Sequence, residues 1–302
     1  MFKKRYHKNR KNNDMELVSN SSLIWKLYKK NTFDVIGLYV FILLIIIIYL
    51  IPLIINADGY TINQEIRLLP PSWKENGNLM HFLGTDEYGR DFLSRMLEAE
   101  QKTINTAFYS ALIASIIGLV VGTISALNKK NRKHVIIHHV FDIFLSIPSI
   151  LIAIVITAIL GPSLKHAILA ISLSLLPRFI KAIFNAVKDE YSKPYINNNI
   201  QDGFSNFYIL TKTVFPNIVG PYINVFLKSF VIAILDITSI GFLGLGAQEP
   251  VPCIGSLMSG YLDYLFIGIE QALFPGIILI SFIISIRLIN HGLNRVFDIK
   301  MD

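Results

Sequence analysis

The sequence predicts an all-α polytopic membrane protein with six transmembrane helices. Three observations carry that prediction: six long apolar stretches, a mean hydropathy of +0.51 with 53% hydrophobic residues, and Lys and Arg gathered at the ends of the stretches. A soluble chain of 302 residues needs more polar surface than this to stay dispersed. In hydrocarbon, each run is forced into helix, which pairs its backbone N–H and C=O groups internally.

A basic leader, 1–34, precedes the first span, 35–55, which holds no charged side chain. At about 1.5 Å rise per residue that run matches a hydrocarbon core of roughly 30 Å. It exceeds the roughly 7 to 15 residues of a cleavable signal's apolar region, so it is expected to be a signal anchor. The outer segment 56–102 mixes acidic and basic residues and is long enough for a small cap. Its Pro70-Pro71-Ser72-Trp73 run favours extended or turn backbone, because each proline fixes its own φ and biases its predecessor away from α. Trp73 suits the headgroup level. A core of five further spans fills 103–293, namely 103–127, 135–160, 164–187, 218–245 and 273–293, and leaves 294–302 as a tail. Gly118 and Gly122 form a G-x-x-x-G pair that permits close helix packing.

Orientation follows from the basic residues nearest the span ends, which cytoplasmic loops carry in excess. The leader holds Lys26, Lys29 and Lys30 beside its distal basic cluster, and the loop after the second span reads Lys129-Lys130-Asn131-Arg132-Lys133. Residues 248–271, after the fifth span, contain no Lys or Arg. Both termini are expected in the cytoplasm. The net charge of +7 and pI near 9.3 then report topology and contact with anionic membrane lipid, and no nucleic-acid partner is expected because the charges are dispersed among the span ends.

The lone Cys253 excludes an intramolecular disulfide and reads as inert packing. The sequence has neither a Cys/His zinc spacing nor a G-x-x-x-x-G-K-[ST] phosphate cradle. No catalytic residue, metal or cofactor is therefore expected on this chain, and any ATP must be bound elsewhere.

The insert 188–216, between the fourth and fifth spans, is too polar for lipid and reads as two short helices facing the cytosol. Ile196, Ile200 and Phe204 recur at i, i+4 and i+8 as an apolar stripe, with Asn197, Asn198, Asn199 and Gln201 off it. Gly203 permits a sharp turn or the close approach of another chain, and Pro216 marks the boundary with the fifth span. An ordinary interfacial helix is the alternative.

Gly203 followed thirteen positions later by Pro216 resembles the second half of the coupling loop of binding-protein-dependent ABC transporter permeases. The outer segment supplies Gly84-Thr85-Asp86, Gly89-Arg90-Asp91 and Ser94-Arg95, similar to the G-T-D-x-x-G-R-D-x-x-S-R signature of the dipeptide and oligopeptide permeases. The run from Gly241 to Pro252 resembles the segment closing the fifth span in that family. Shorter runs, among them Leu175-Leu176-Pro177-Arg178, are similar to the C-type permeases of the Sap antimicrobial-peptide-sensitivity systems. Two departures stand out: Asn197-Asn198-Asn199 replaces an Ala-Ala pair, with lower helix propensity, and Ile254 replaces a Trp.

The resemblance implies a type I ABC importer permease fold in a bacterial inner membrane. It implies a second homologous permease, two cytoplasmic ATPases that bind the ATP, and a periplasmic substrate-binding protein. Ile196, Ile200, Gly203, Phe204 and Pro216 would then couple the chain to an ATPase. The signature Gly84, Thr85, Asp86, Gly89, Arg90 and Asp91 would offer the binding protein an exposed dock.

Ionisable residues inside the spans have two readings each. Asp236 meets a cationic substrate or lines water, and Arg178 and Lys181 snorkel to headgroups or touch substrate. His138 and Asp142 form an i, i+4 pair, as a hydrogen-bonded couple or a metal site. The favoured function is the permease subunit of a peptide transporter. A putrescine exporter on the same scaffold, an ion-coupled secondary transporter or channel, and a structural subunit that transports nothing are the rivals.

Overall fold

The computed structural model describes residues 24–55, 59–127, 144–264 and 269–301. The elements in chain order are α1 (Thr32–Ile55), α2 (Phe92–Leu127), α3 (Ser149–Leu160), α4 (Leu164–Tyr191), α5 (Pro194–Gln201), α6 (Asn206–Ile209), α7 (Phe215–Phe242), α8 (Ile254–Gly260) and α9 (Ile269–Met301). Short 3₁₀ turns at Gln64–Ile66 and Tyr261–Tyr264 and a π-helical turn at Leu210–Val214 complete them. No named strand occurs among the described residues, whose only β pairing is an isolated bridge between Thr85 and Asp91.

Five of the described helices are long and apolar enough to cross a membrane: α1, α2, α4, α9 and the continuous run from α6 to the end of α7. The remaining expected crossing, 135–160, is described only from residue 144 onward. There α3 has 12 residues, short of the ~20 a bilayer needs, and it starts after a break at Ile147 and Pro148. Proline has no N–H to continue a preceding helix, which accounts for the break. The basic loop at 129–133, His138 and Asp142 lie outside the described residues.

Where the ends differ from expectation, the helices overrun the apolar runs. The second span begins at Phe92 instead of 103, because the Asp91 carboxylate accepts from the Ser94 backbone N–H at 2.9 Å and caps the helix there. Its 36 residues extend about 54 Å, more than the hydrocarbon core needs, so its charged first turns stand clear of hydrocarbon. The fourth span runs on to Tyr191, and α9 absorbs all but the last residue of the expected tail.

Helices α2 and α4 cross closely at the two glycines the sequence singled out. A Cβ on Gly118 would lie 2.4 Å from Phe179 Cβ, and one on Gly122 would lie 2.8 Å from the Ile180 carbonyl. The main apolar core joins α1, α2, α3, α4, α7, α8 and α9, and a second core beneath it gathers Ala126, Ile183, Val187, Ile196, Ile209, Val214 and Ile218. Helix α1 leans on α9, where Gly37 faces Leu288, and exposes Ile36, Tyr39, Leu43, Ile46 and Leu50 at helical spacing, a face suited to lipid.

Candidate functional site

The insert is built on the end of α4. Lys193 and Pro194 open α5, with Pro194 in the first turn where its missing N–H costs nothing, and the helix forms despite its Asn triplet. Gly203 then takes φ of +82°, a backbone that side chains with a Cβ resist, and nothing lies within 4 Å of where that Cβ would be. Ser205 caps α6 by accepting from the Tyr208 N–H at 3.2 Å. From α6 the chain winds without a break into α7, so the insert is continuous with the fifth span, and Pro216 sits in the first turn of α7.

The expected apolar stripe is divided. Ile196 is completely buried in the second core, while Ile200, Phe204, Tyr208 and Phe207 are exposed at 49%, 44%, 45% and 75%. Phe204 is not on the helix of Ile196, because α5 ends at Gln201 and Gly203 redirects the chain. This corrects the reading of Ile196, Ile200 and Phe204 as one docking surface: Ile196 anchors the insert, and the other two stay outside. Phe204 and Tyr208 stack at 4.8 Å between ring centroids, presenting a broad aromatic face.

A residue the sequence reading missed holds the anchor. Glu190, at the end of α4, is 5% exposed and accepts from Asn217 Nδ2 at 2.7 Å, pairs with Lys193 Nζ at 2.8 Å, and accepts from the Tyr195 hydroxyl. One carboxylate thus ties α4, α5 and α7. The only sequence signal for it was an acidic residue three positions before a lysine at a span end.

Just before α2 the signature folds into a compact turn. Asp86 Oδ1 accepts from the N–H groups of Tyr88 and Arg90, each at 2.9 Å, and Arg90 Nε donates to Asp86 Oδ2 at 2.6 Å. Gly84 and Gly89 have φ of +82° and +75°, and a Cβ on either would strike the Leu69 or Asn63 carbonyl. Thr85 Oγ1 accepts from the Leu69 N–H at 2.9 Å and donates to the Ile66 carbonyl. Asp91 caps α2 and meets His81 Nδ1 at 3.0 Å.

From this turn two arginines reach across the chain. Arg90 Nη1 and Arg95 Nη2 donate to the two oxygens of Glu249, at 3.0 and 3.1 Å, joining the signature to the segment that follows α7. Burial works against the Arg90 charge, but its bonds to Glu249 and Asp86 outweigh that and hold its pKa above the ordinary value. Tyr261 packs beneath, and burial pushes its hydroxyl pKa well up. All six signature residues are buried. The expectation of an exposed dock is therefore corrected, since Asp and Arg neutralise one another inside the cap and little of the motif reaches its surface.

Asp236 is buried at 5% exposure on α7, beside the Ser149 hydroxyl and the charge of Arg178, so it faces neighbouring helices and not open water. Cys253 is buried against Gly241.

Residues 118–302 match the family described as binding-protein-dependent transport system inner membrane component, and residues 19–71 match the N-terminal TM domain of oligopeptide transport permease C. The chain is 39% identical over 239 residues to the peptide transport system permease protein SapC of Escherichia coli O6:H1, covering 78% of this chain and 80% of that one. It is 36% identical over 278 residues to SapC of Haemophilus influenzae, covering 91% and 93%. To the di/tripeptide transport system permease protein DppC of Pseudomonas aeruginosa it is 32% identical over 290 residues, 95% of each. The fold is similar to that of a chain of the MetNI methionine ABC transporter in an inward-facing form, with a TM-score of 0.55 at 19% identity over 67% of this chain and 96% of that one. The type I importer permease fold and the non-catalytic role expected of it stand, and the ion-coupled and channel readings fall away. The chain belongs to the family of binding-protein-dependent transport system inner membrane components.

Proposed function

We propose that this chain is one of two homologous permease subunits in an ATP-driven transporter for peptides, its termini in the cytoplasm. Two cytosolic ATPases bind and hydrolyse the ATP, and a periplasmic binding protein delivers cargo. The observation that carries the reading is the insert: an exposed aromatic face at Phe204, Phe207 and Tyr208 on a base locked to two spans by Ile196 and Glu190. A partner gripping that face pulls on α4 and α7 together, because the Glu190 carboxylate bonds α5 and α7 to the end of α4. Alternation between two packings requires such a partner, one whose binding free energy differs between the states.

The names of the relatives support peptides as cargo. Asp236, Glu249 and Asp263 are the acidic residues that would suit a polyamine, but Asp236 is buried beside Arg178 and Glu249 is held by two arginines. Reconstitution of the assembled transporter in proteoliposomes tests the reading with labelled trialanine. Uptake that requires both ATP and the binding protein is expected, and flux that continues without ATP would contradict it.

A further inference from the structure

Arg178 on α4, Lys228 on α7, and Arg287 and His291 on α9 converge on one cavity of about 420 Å³. Asn290 and Asn294 also line it, and no carboxylate does. Lys228 and Arg287 are exposed and have no hydrogen-bond or ion-pair partner among the described residues. His291 turns Nδ1 to Asp34 at 3.0 Å, a carboxylate it shares with Arg295, and Arg178 stands beside Asp236, so the uncancelled positive charge of the cavity is that of Lys228 and Arg287. The Asn290 Oδ1 is buried without a partner, while its Nδ2 donates to Asn224 Oδ1 at 3.0 Å.

Lys228 stands midway along α7, and Arg178 midway along α4, both within spans. Cations inside a span face the protein interior or a water-filled cavity, since lipid gives them nothing to pair with. Snorkelling would spread them toward headgroups around the bundle. Convergence from three helices on one cavity does the opposite.

We infer that this cavity is an anion subsite in the wall of the translocation path, which takes the carboxylate end of a passing peptide and disfavours polycations. The inference rests on the peptide-permease reading and narrows its substrate class. One sign of charge in a low-dielectric cleft concentrates counter-ions. The pairing is transient, because Lys228 and Arg287 hold their charges on flexible stems with no fixed acceptor, which suits release as well as capture.

The test places a thiol in the cavity with Ile232→Cys in the full transporter, where the chain's own Cys253 is buried. An anionic methanethiosulfonate is expected to react at least about tenfold faster than a cationic one, and Lys228→Gln with Arg287→Gln should bring the two rates together. The pair Lys228→Arg and Arg287→Lys should keep the preference, which separates charge from shape. Equal rates in the parent, or no reaction with either reagent, overturn the anion subsite.

Uptake of trialanine against its C-terminal amide assigns the anion, the binding protein being the same in both arms. The glutamine pair should lower the acid-to-amide ratio about tenfold. An unchanged ratio, with anionic phospholipid lost from the purified variant, would make the cavity a lipid headgroup site and overturn the peptide assignment. A parent that takes up neither peptide contradicts the proposed function, while the thiol rates still decide the charge of the cavity.

Discussion

At one end of the molecule the signature motif hides its charges, and at the other the insert shows its aromatics. In the signature Asp86, Arg90 and Arg95 are buried and bonded to one another or to Glu249, whereas in the insert Phe204, Phe207 and Tyr208 are exposed around an open glycine. The residue types invite the opposite assignment, charge for contact and apolar for core. Packing decides otherwise: a motif rich in paired charges is here a fastener, and an apolar cluster on an anchored base is left exposed, the handle of the proposed function.

Arg95→Met should break that comparison most severely. It leaves Glu249 and Asp86 facing one fewer cation in a site where Arg95 is 1% exposed, at a cost of about 3 to 5 kcal/mol. Thermal unfolding of the purified chain followed by size exclusion should show a large drop, and an unchanged transition would mean that the network holds nothing. Ile196→Ala should cost about 2 to 4 kcal/mol by opening a cavity in the second core. Loss of stability with normal ATPase binding would identify it as anchor; loss of binding alone would restore it to the contact face.

Phe207→Ala sharpens the other half. At 75% exposure it should leave unfolding unchanged, yet weaken association with the ATPase by about 2 kcal/mol, measured by titration in detergent. Gly203→Ala is expected to be the mildest, costing about 1 to 2 kcal/mol through its positive φ, with no steric clash because nothing lies within 4 Å. Gly203→Asn should cost less, because Asn tolerates that backbone, and equal losses from the two would point to contact in place of strain.

The spans were legible because lipid demands long apolar runs, and the G-x-x-x-G crossing was legible because close approach demands missing side chains. Helix ends were not. Hydropathy falls at Lys102, but Asp91 caps the helix three turns earlier, and a cap acts through hydrogen bonds that a hydropathy window does not weigh. The apolar stripe at 196, 200 and 204 assumed one helix, and Gly203 ends that helix before the third member. Glu249 lies 154 and 159 positions from its two arginines, a pairing that only the folded chain reveals. Asp236 was read as open because it is a carboxylate near a span end, yet Ser149 and Arg178 come from helices no local pattern connects to it.

Cargo-stimulated ATP hydrolysis by the reconstituted transporter, with Phe204→Ala and Phe207→Ala combined in this chain, bears most directly on the handle. Stimulation is expected to collapse while the chain's unfolding temperature and its pairing with the second permease stay as they were. Full stimulation in that variant would mean that the motor pulls somewhere else.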